Sequence, residues 1–285
     1  MTSSPELSGL SGADLGIITR NGNSFVRKTS ANLAGNNRLR LQMEKQISFI
    51  DLCGPISAPP ILEYGIDSTG KFYFDMEFVS GLDGHRFLER CSPRDLQSFS
   101  ERLLTHLSSL NILPVIGPHG KQPSLFHSCL HKLVEIHQGT VSLGDELAGI
   151  MLGKLSTIQT LCIEKEGFCH GDFTLENMLI DGQGNVYFVD FLDSTFEHPV
   201  QDLVKLSQDI HGGWFRAKGR RLSSAVVAHI QEIIQPAIDR DFPYYSDVRD
   251  TLLALNFCRI LPYVSNKIQE EFVLNQIKKF IHCTP

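Results

Sequence analysis

One short stretch, residues 167–191, constrains this chain more than any other, because it is a β-like island inside a mostly helical part. Its first half reads Phe168-Cys169-His170-Gly171-Asp172-Phe173-Thr174-Leu175-Glu176-Asn177 and runs into the apolar Met178-Leu179-Ile180. A turn rich in glycine and asparagine, Asp181 to Asn185, separates this from Val186-Tyr187-Phe188-Val189-Asp190-Phe191. Apolar runs thus bracket a polar loop, and His170, Asp172, Asn177 and Asp190 stand at the edges of strands. Rigid elements hold reactive groups in this way.

Phosphoryl transfer asks for few parts: a carboxylate for the acceptor hydroxyl, metal ligands for the phosphates, and a cation on the nucleotide. Asp172 and Asn177 are five apart, the D-x-x-x-x-N spacing of a kinase catalytic loop. Asp190 ends a strand and precedes Phe191, as in D-F-G, with Leu192 in place of the glycine. The combined pattern, apolar-apolar-His-Gly-Asp-x-x-x-x-Asn and then a strand ending in Asp, resembles the aminoglycoside phosphotransferase and choline kinase superfamily. The resemblance implies an α+β, bilobal protein-kinase-like fold: a small antiparallel-sheet N-lobe with one helix, residues 1–81, and a larger, mainly helical C-lobe, residues 82–285. It also implies ATP and Mg2+ as cofactors, Asp172 as catalytic base, Asn177 and Asp190 as metal ligands, and His170 as a brace of the catalytic loop. The bland alternative is a polar hairpin at a helix-packed edge.

The first 80 residues offer the remaining parts. Leu15–Thr19 and Ser24–Lys28 are β-prone and joined through Asn21-Gly22, a hairpin signal. Upstream, Gly9 and Gly12 let the backbone approach phosphates, or form an ordinary turn. Val26 and Lys28 share one strand face, so valine can roof an adenine while lysine reaches the phosphates; Arg27 points the other way. Leu39, Met43, Ile47 and Ile50 are spaced as on one helix face. Glu44, the only acidic residue between Lys28 and Asp51, is the expected partner of Lys28. A second strand pair, Ile61–Tyr64 and Lys71–Val79, leads to Ser80-Gly81, and backbone groups near Glu77 to Val79 are expected to meet the adenine edge.

Beyond residue 81, helices are expected from Ser92-Pro93 onward, from Asp145 to Cys162, and from near Ser223, Ser246 and Lys267. A eukaryotic-type protein kinase is disfavoured: Gly171 replaces arginine, Thr174 stands where a lysine is expected, and no Ala-Pro-Glu follows Asp190. The acceptor expected is a small molecule: a sugar, an amino alcohol or an aminoglycoside-like compound. Four cations in the six residues 216–221 (Arg216, Lys218, Arg220, Arg221) are a solvated loop or an anchor for an anionic acceptor. Trp214 stacks on an acceptor ring or sits in the core, Asp193 is a further candidate at the metal site, Asp202 is a structural brace, and Arg259 is paired or faces the cleft.

Composition narrows the alternatives. With 26 basic and 32 acidic residues the formal charge is −6, which disfavours a nucleic-acid partner. No apolar run approaches the ~20 residues of a membrane span, and the N-terminus lacks the order of a signal peptide. Seven irregularly spaced cysteines without a CxxC pair fit a reducing, cytoplasmic setting. A nucleotide-binding module without catalysis and a same-fold enzyme acting on a protein remain open, as does the oligomeric state.

Overall fold

The structure, a computed structural model, describes residues 13–20, 22–52, 54–110, 124–140, 142–159, 168–192 and 197–282. Gly9, Gly12 and Asp193 lie outside them.

Strands β1 (Ala13–Arg20) and β2 (Asn23–Ser30) pair antiparallel with Arg20 opposite Asn23, as the Asn21-Gly22 connection requires. A 3-10 turn, Leu33–Gly35, opens helix α1 (Asn36–Asp51). The Asn36 side chain donates to Gly70 O at 2.9 Å and accepts from Phe72 N at 2.8 Å, which pins the start of α1 to the next hairpin. That hairpin is β3 (Ile61–Ile66) and β4 (Phe72–Glu77), and the sheet order is β1-β2-β4-β3. Period two along β4 sends Phe72, Phe74 and Met76 to one face, where they bury Leu39 and Met43 of α1. Each such side chain contributes about 1.5–3 kcal/mol.

The chain then changes sheets. Strand β5 (Gly81–Asp83) pairs with a hairpin far along the chain, β6 (Met178–Asp181) and β7 (Val186–Phe188), in the order β5-β6-β7. A side chain at position 81 would put its Cβ 2.3 Å from Ile180 O, so only glycine permits this approach. Helices α2 (Gly84–Leu88) and α3 (Pro93–Ser109) follow, the latter opened by a Ser92–Asp95 capping box. Next come α4 (Leu125–Gly139) and α5 (Asp145–Thr157). The described part of α5 stops five residues short of Cys162. The island supplies β6 (Met178–Asp181) and β7 (Val186–Phe188). The chain closes with α6 (Pro199–Ile210), α7 (Trp214–Ala217), α8 (Ser224–Asp241), α9 (Tyr245–Ile260) and α10 (Lys267–His282).

Phe49 joins the two parts. It leaves α1 at the end away from the small core and stacks on Phe168, with ring centroids 5.2 Å apart. Phe191 and Phe188 lie 5.3 and 5.6 Å away. The helix under the sheet is therefore wedged into the aromatic base of the island. Among the described residues no helix is long and apolar enough to cross a membrane.

Candidate active site

The loop after Phe168 is shaped by its backbone. Gly171 has φ +90°, a region that L side chains rarely adopt, which explains the glycine between His170 and Asp172. His170 is buried, and burial holds its pKa down to about 3, so the ring is neutral. Its Nδ1 accepts from Asp172 N at 3.2 Å, which leaves Nε2–H to donate to Val189 O at 3.1 Å. The histidine therefore couples the two halves of the island.

Helix α6 supports the loop from below. Asp202 accepts from His170 N at 2.6 Å and Gly171 N at 2.9 Å, and Asp209 accepts from Leu175 N at 2.8 Å. Burial raises both carboxyls, Asp202 to about 6 and Asp209 to about 7. Between them on the same helix, Lys205 reaches the side chain of Asp172, Nζ to Oδ1 2.9 Å. Asn177 Nδ2 donates to the other carboxylate oxygen of Asp172 at 2.9 Å and to its backbone oxygen at 2.8 Å. Burial works to raise the Asp172 pKa. The Lys205 charge and hydrogen bond, with Asn177, outweigh it and hold the carboxyl below its ordinary range. Asp172 is thus an ionised, oriented carboxylate, with its side chain 24% exposed.

Asp190 follows β7 with φ +62°, the sole positive φ at a non-glycine among the described residues. Its neighbours are fixed, since Val189 N donates to Asn177 O at 3.0 Å and Leu192 N to His170 O at 3.0 Å. Strain held by surrounding bonds is a common property of reactive positions. From β2 of the first sheet, the Lys28 ammonium pairs with the Asp190 carboxylate. Val26 lies on the same face of β2 and packs against the small core, while Arg27 turns away and forms two bonds with Asp75, at 2.6 and 2.8 Å.

One expectation is corrected. Glu44 does not hold Lys28: it is exposed on α1, and Gln42 Oε1 takes the ammonium at 3.1 Å. The cause is helical phase. Residues 39, 42, 43 and 46 form the inner face, and Glu44 is roughly 200° from Gln42. Lys45, also buried, reaches over to Leu192 O at 2.8 Å and Glu197 Oε2 at 2.9 Å.

A cleft of about 440 Å³ lies where Glu77, Phe78, Val79 and Ser80 face Asp181, Gly182, Gln183 and Tyr187. It contains Glu77 and Val79, but neither Asp172 nor Asp190 lines it. The Glu77 N–H is engaged by Pro60 O at 3.0 Å. The basic run is tied down: Lys218 pairs with Glu176, and Arg220 lies 3.6 Å from Asp83. Arg221 is exposed, with its backbone N–H on Glu89. Trp214 packs beside Phe272, centroids 6.3 Å apart, and Arg259 bonds Asn256 at 3.3 Å.

The donors fit a small hard cation. Asn177 spends its amide nitrogen on Asp172, which leaves its carbonyl oxygen, and Asp190 adds a carboxylate 26% exposed. Oxygen ligands with room for water suit Mg2+. Gln42, Lys205 and Asp209 were not singled out from sequence. The readable signal for the last two was the spacing 202, 205, 209, which is i, i+3, i+7 on one helix face.

A family model described as "Phosphotransferase enzyme family" (APH) matches residues 53–231. Among solved structures, the chain is similar to a thermostable mutant of aminoglycoside phosphotransferase APH(4)-Ia in its apo form. The TM-score is 0.65 at 14% identity, covering 96% of this chain and 92% of that one. Choline kinase LicA from Streptococcus pneumoniae gives a TM-score of 0.62 at 13% identity, with 98% and 93% covered. The GDP complex of aminoglycoside 2'-phosphotransferase-IIIa gives 0.62 at 15% identity, with 94% and 89% covered. Among curated proteins no match is found. The fold is the bilobal kinase-like one of these phosphotransferases.

Proposed function

The chain belongs to the phosphotransferase enzyme family, and on that premise we propose that it transfers the γ-phosphoryl group of ATP, with Mg2+, to a hydroxyl of a small molecule. The observation that carries this reading is the constellation around Asp172. An ionised carboxylate is fixed by Asn177 and Lys205, on a loop hydrogen-bonded to the residues flanking Asp190.

Asp172 orients the acceptor hydroxyl and takes its proton. The O–H bond breaks, the acceptor oxygen bonds to the γ-phosphorus, and the bond to the β-phosphate oxygen breaks with its electron pair leaving on ADP. The proton then passes from Asp172 to water. Asn177 and Asp190 would hold the magnesium ion, which when bound supplies positive charge to the phosphates. Lys28, kept in place by Gln42 and Asp190, supplies the protein's own cation on the nucleotide side. Glu77 to Val79 take the adenine through their backbone.

The acceptors considered are sugars, amino alcohols and aminoglycoside-like compounds. Similar structures are described with kanamycin and with hygromycin B, and one is a choline kinase. An anionic acceptor has less support than the basic run alone would give it, because Lys218 and Arg220 already face Glu176 and Asp83.

The test is an ATP-consumption screen over a broad library of hydroxyl compounds, with mass spectrometry of the products. A product heavier by one phosphoryl group identifies the acceptor. Asp172→Asn should bind MgATP normally and lose about 10²–10⁴-fold in turnover. Turnover unchanged in that variant would refute the assignment of the base.

A further inference from the structure

We propose that Lys205 is a positioning residue for the transfer itself: it aligns Asp172 at rest and compensates the negative charge that moves to the phosphoryl oxygens as Asp172 becomes neutral. This rests on the phosphotransferase reading given above.

The geometry singles this residue out. Asp202, Lys205 and Asp209 share one face of α6, and all three address the catalytic loop. The two aspartates bind only backbone N–H groups or a thiol there, so the loop is anchored without the lysine. Lys205 alone among the three contacts the side chain of Asp172, and its own side chain is 13% exposed. Thr174, two residues after Asp172 and nearly buried, offers no charge. The cation at this carboxylate is therefore supplied from a helix 33 positions away.

Pairing alone does not account for the cation. A cation beside a general base weakens it as a base, so an ammonium whose only task was to pair with Asp172 would oppose proton abstraction. The arrangement becomes favourable once the reaction is followed through. When the acceptor proton reaches Asp172, the carboxylate charge that Lys205 faced is gone, and new charge has moved onto the transferring group. A preorganised cation that stays with that charge lowers the barrier more than the ground state. Lys28, on the nucleotide side in this reading, stands beside Asp190. Lys205 stands beside the base, so each of the two ammonium groups is held by a different carboxylate of the site.

The test uses the full chain with MgADP, alone and with fluoroaluminate as a mimic of the phosphoryl group in transit. The wild-type chain should bind MgADP at least ~10-fold more tightly with fluoroaluminate. Lys205→Met, which keeps the aliphatic stem, should bind MgADP as the wild type does and lose that gain; Lys205→Gln serves as the second variant. With an acceptor from the screen, kcat should fall about 10²–10³-fold while the KM for ATP stays within about threefold. A variant that keeps the fluoroaluminate gain, or that loses MgADP affinity and kcat together, overturns the proposal. A wild-type chain that does not bind MgADP at all instead overturns the phosphotransferase reading, and this inference with it.

Discussion

Gln42 Oε1 accepts a hydrogen bond from the Lys28 ammonium at 3.1 Å, in the place where a carboxylate was expected. A neutral amide leaves more of the lysine charge for an anionic ligand, while the pairing with Asp190 holds the ammonium toward the catalytic island. Hydrogen bonds to charged groups are worth about 1.5–3 kcal/mol. Gln42→Leu should therefore raise the KM for ATP about tenfold or more. Glu44→Ala, on the exposed face of the same helix, should change neither the KM nor the melting temperature beyond error, since surface substitutions stay within about 0.5 kcal/mol. Steady-state kinetics on the two variants separate the assignments; a large effect at Glu44 would reverse them.

The second tie across the two parts is Lys45 to Glu197, at 2.9 Å, with side chains 8% and 19% exposed. Breaking such a pair is asymmetric. Glu197→Gln strands a buried ammonium and should cost about 2–3 kcal/mol, less than a fully buried pair because Glu197 keeps some water. Lys45→Met removes the charge and retains most of the volume, and leaves the more exposed partner to be hydrated. Urea unfolding should show the smaller loss for Lys45→Met, and a larger loss for Lys45→Met than for Glu197→Gln would argue that Leu192 O, not Glu197, is the important partner.

How much of this was legible depended on whether a residue's role is local. The strand hairpins, the start of α3 at Ser92-Pro93 and the island's turn are written in turn chemistry and capping, which act over a few residues. Lys28 could be preferred over Arg27 because strand period fixes which face each presents. Glu44 failed because being the sole acid in a segment says nothing about helical phase, and phase selected Gln42. Helix α6 was not expected, although Pro199 in its first turn and its apolar face are there to be read; what only the fold shows is that Asp202, Lys205 and Asp209 turn toward the catalytic loop. Phe49 is similar. In sequence it is another apolar residue of α1, and only the fold shows it reaching Phe168, more than 100 positions on.

Stability should carry the signature of Asp209. Its carboxyl is raised from 3.8 to about 7, with burial as the main cause. The folded state then holds a proton over a range where the unfolded chain has released it, so stability falls as pH rises from about 4 to about 7. Nearby His85 is held below its ordinary range by burial. Asp209→Asn keeps an acceptor for Leu175 N and has nothing to titrate. The variant's advantage in melting temperature should be absent near pH 4, grow toward pH 7 and level off above it. An advantage that does not vary with pH would show that Asp209 is ionised throughout.

Gly171 offers the sharpest test of how the base is held. At φ +90° an alanine costs about 1–2 kcal/mol. In an exposed turn the chain could relax that strain by shifting φ. Here the flanking groups forbid it: His170 N and Gly171 N are both bound by Asp202, Asp172 N is bound by the His170 ring, and Leu192 N holds His170 O. Relaxation therefore breaks hydrogen bonds to a buried carboxylate, and no relaxation leaves the strain in place. Either way the loop loses stability, and any shift of residue 171 is passed directly to Asp172. Gly171→Ala should lower the melting temperature by several degrees and reduce kcat by about 10²-fold or more, because a misplacement near 1 Å is enough for that. MgATP affinity should change much less, since Lys28 and Gln42 stand on β2 and α1 and bond to each other independently of residue 171. Near-normal turnover in this variant would mean that the base tolerates displacement, and the rigid-loop account would fail.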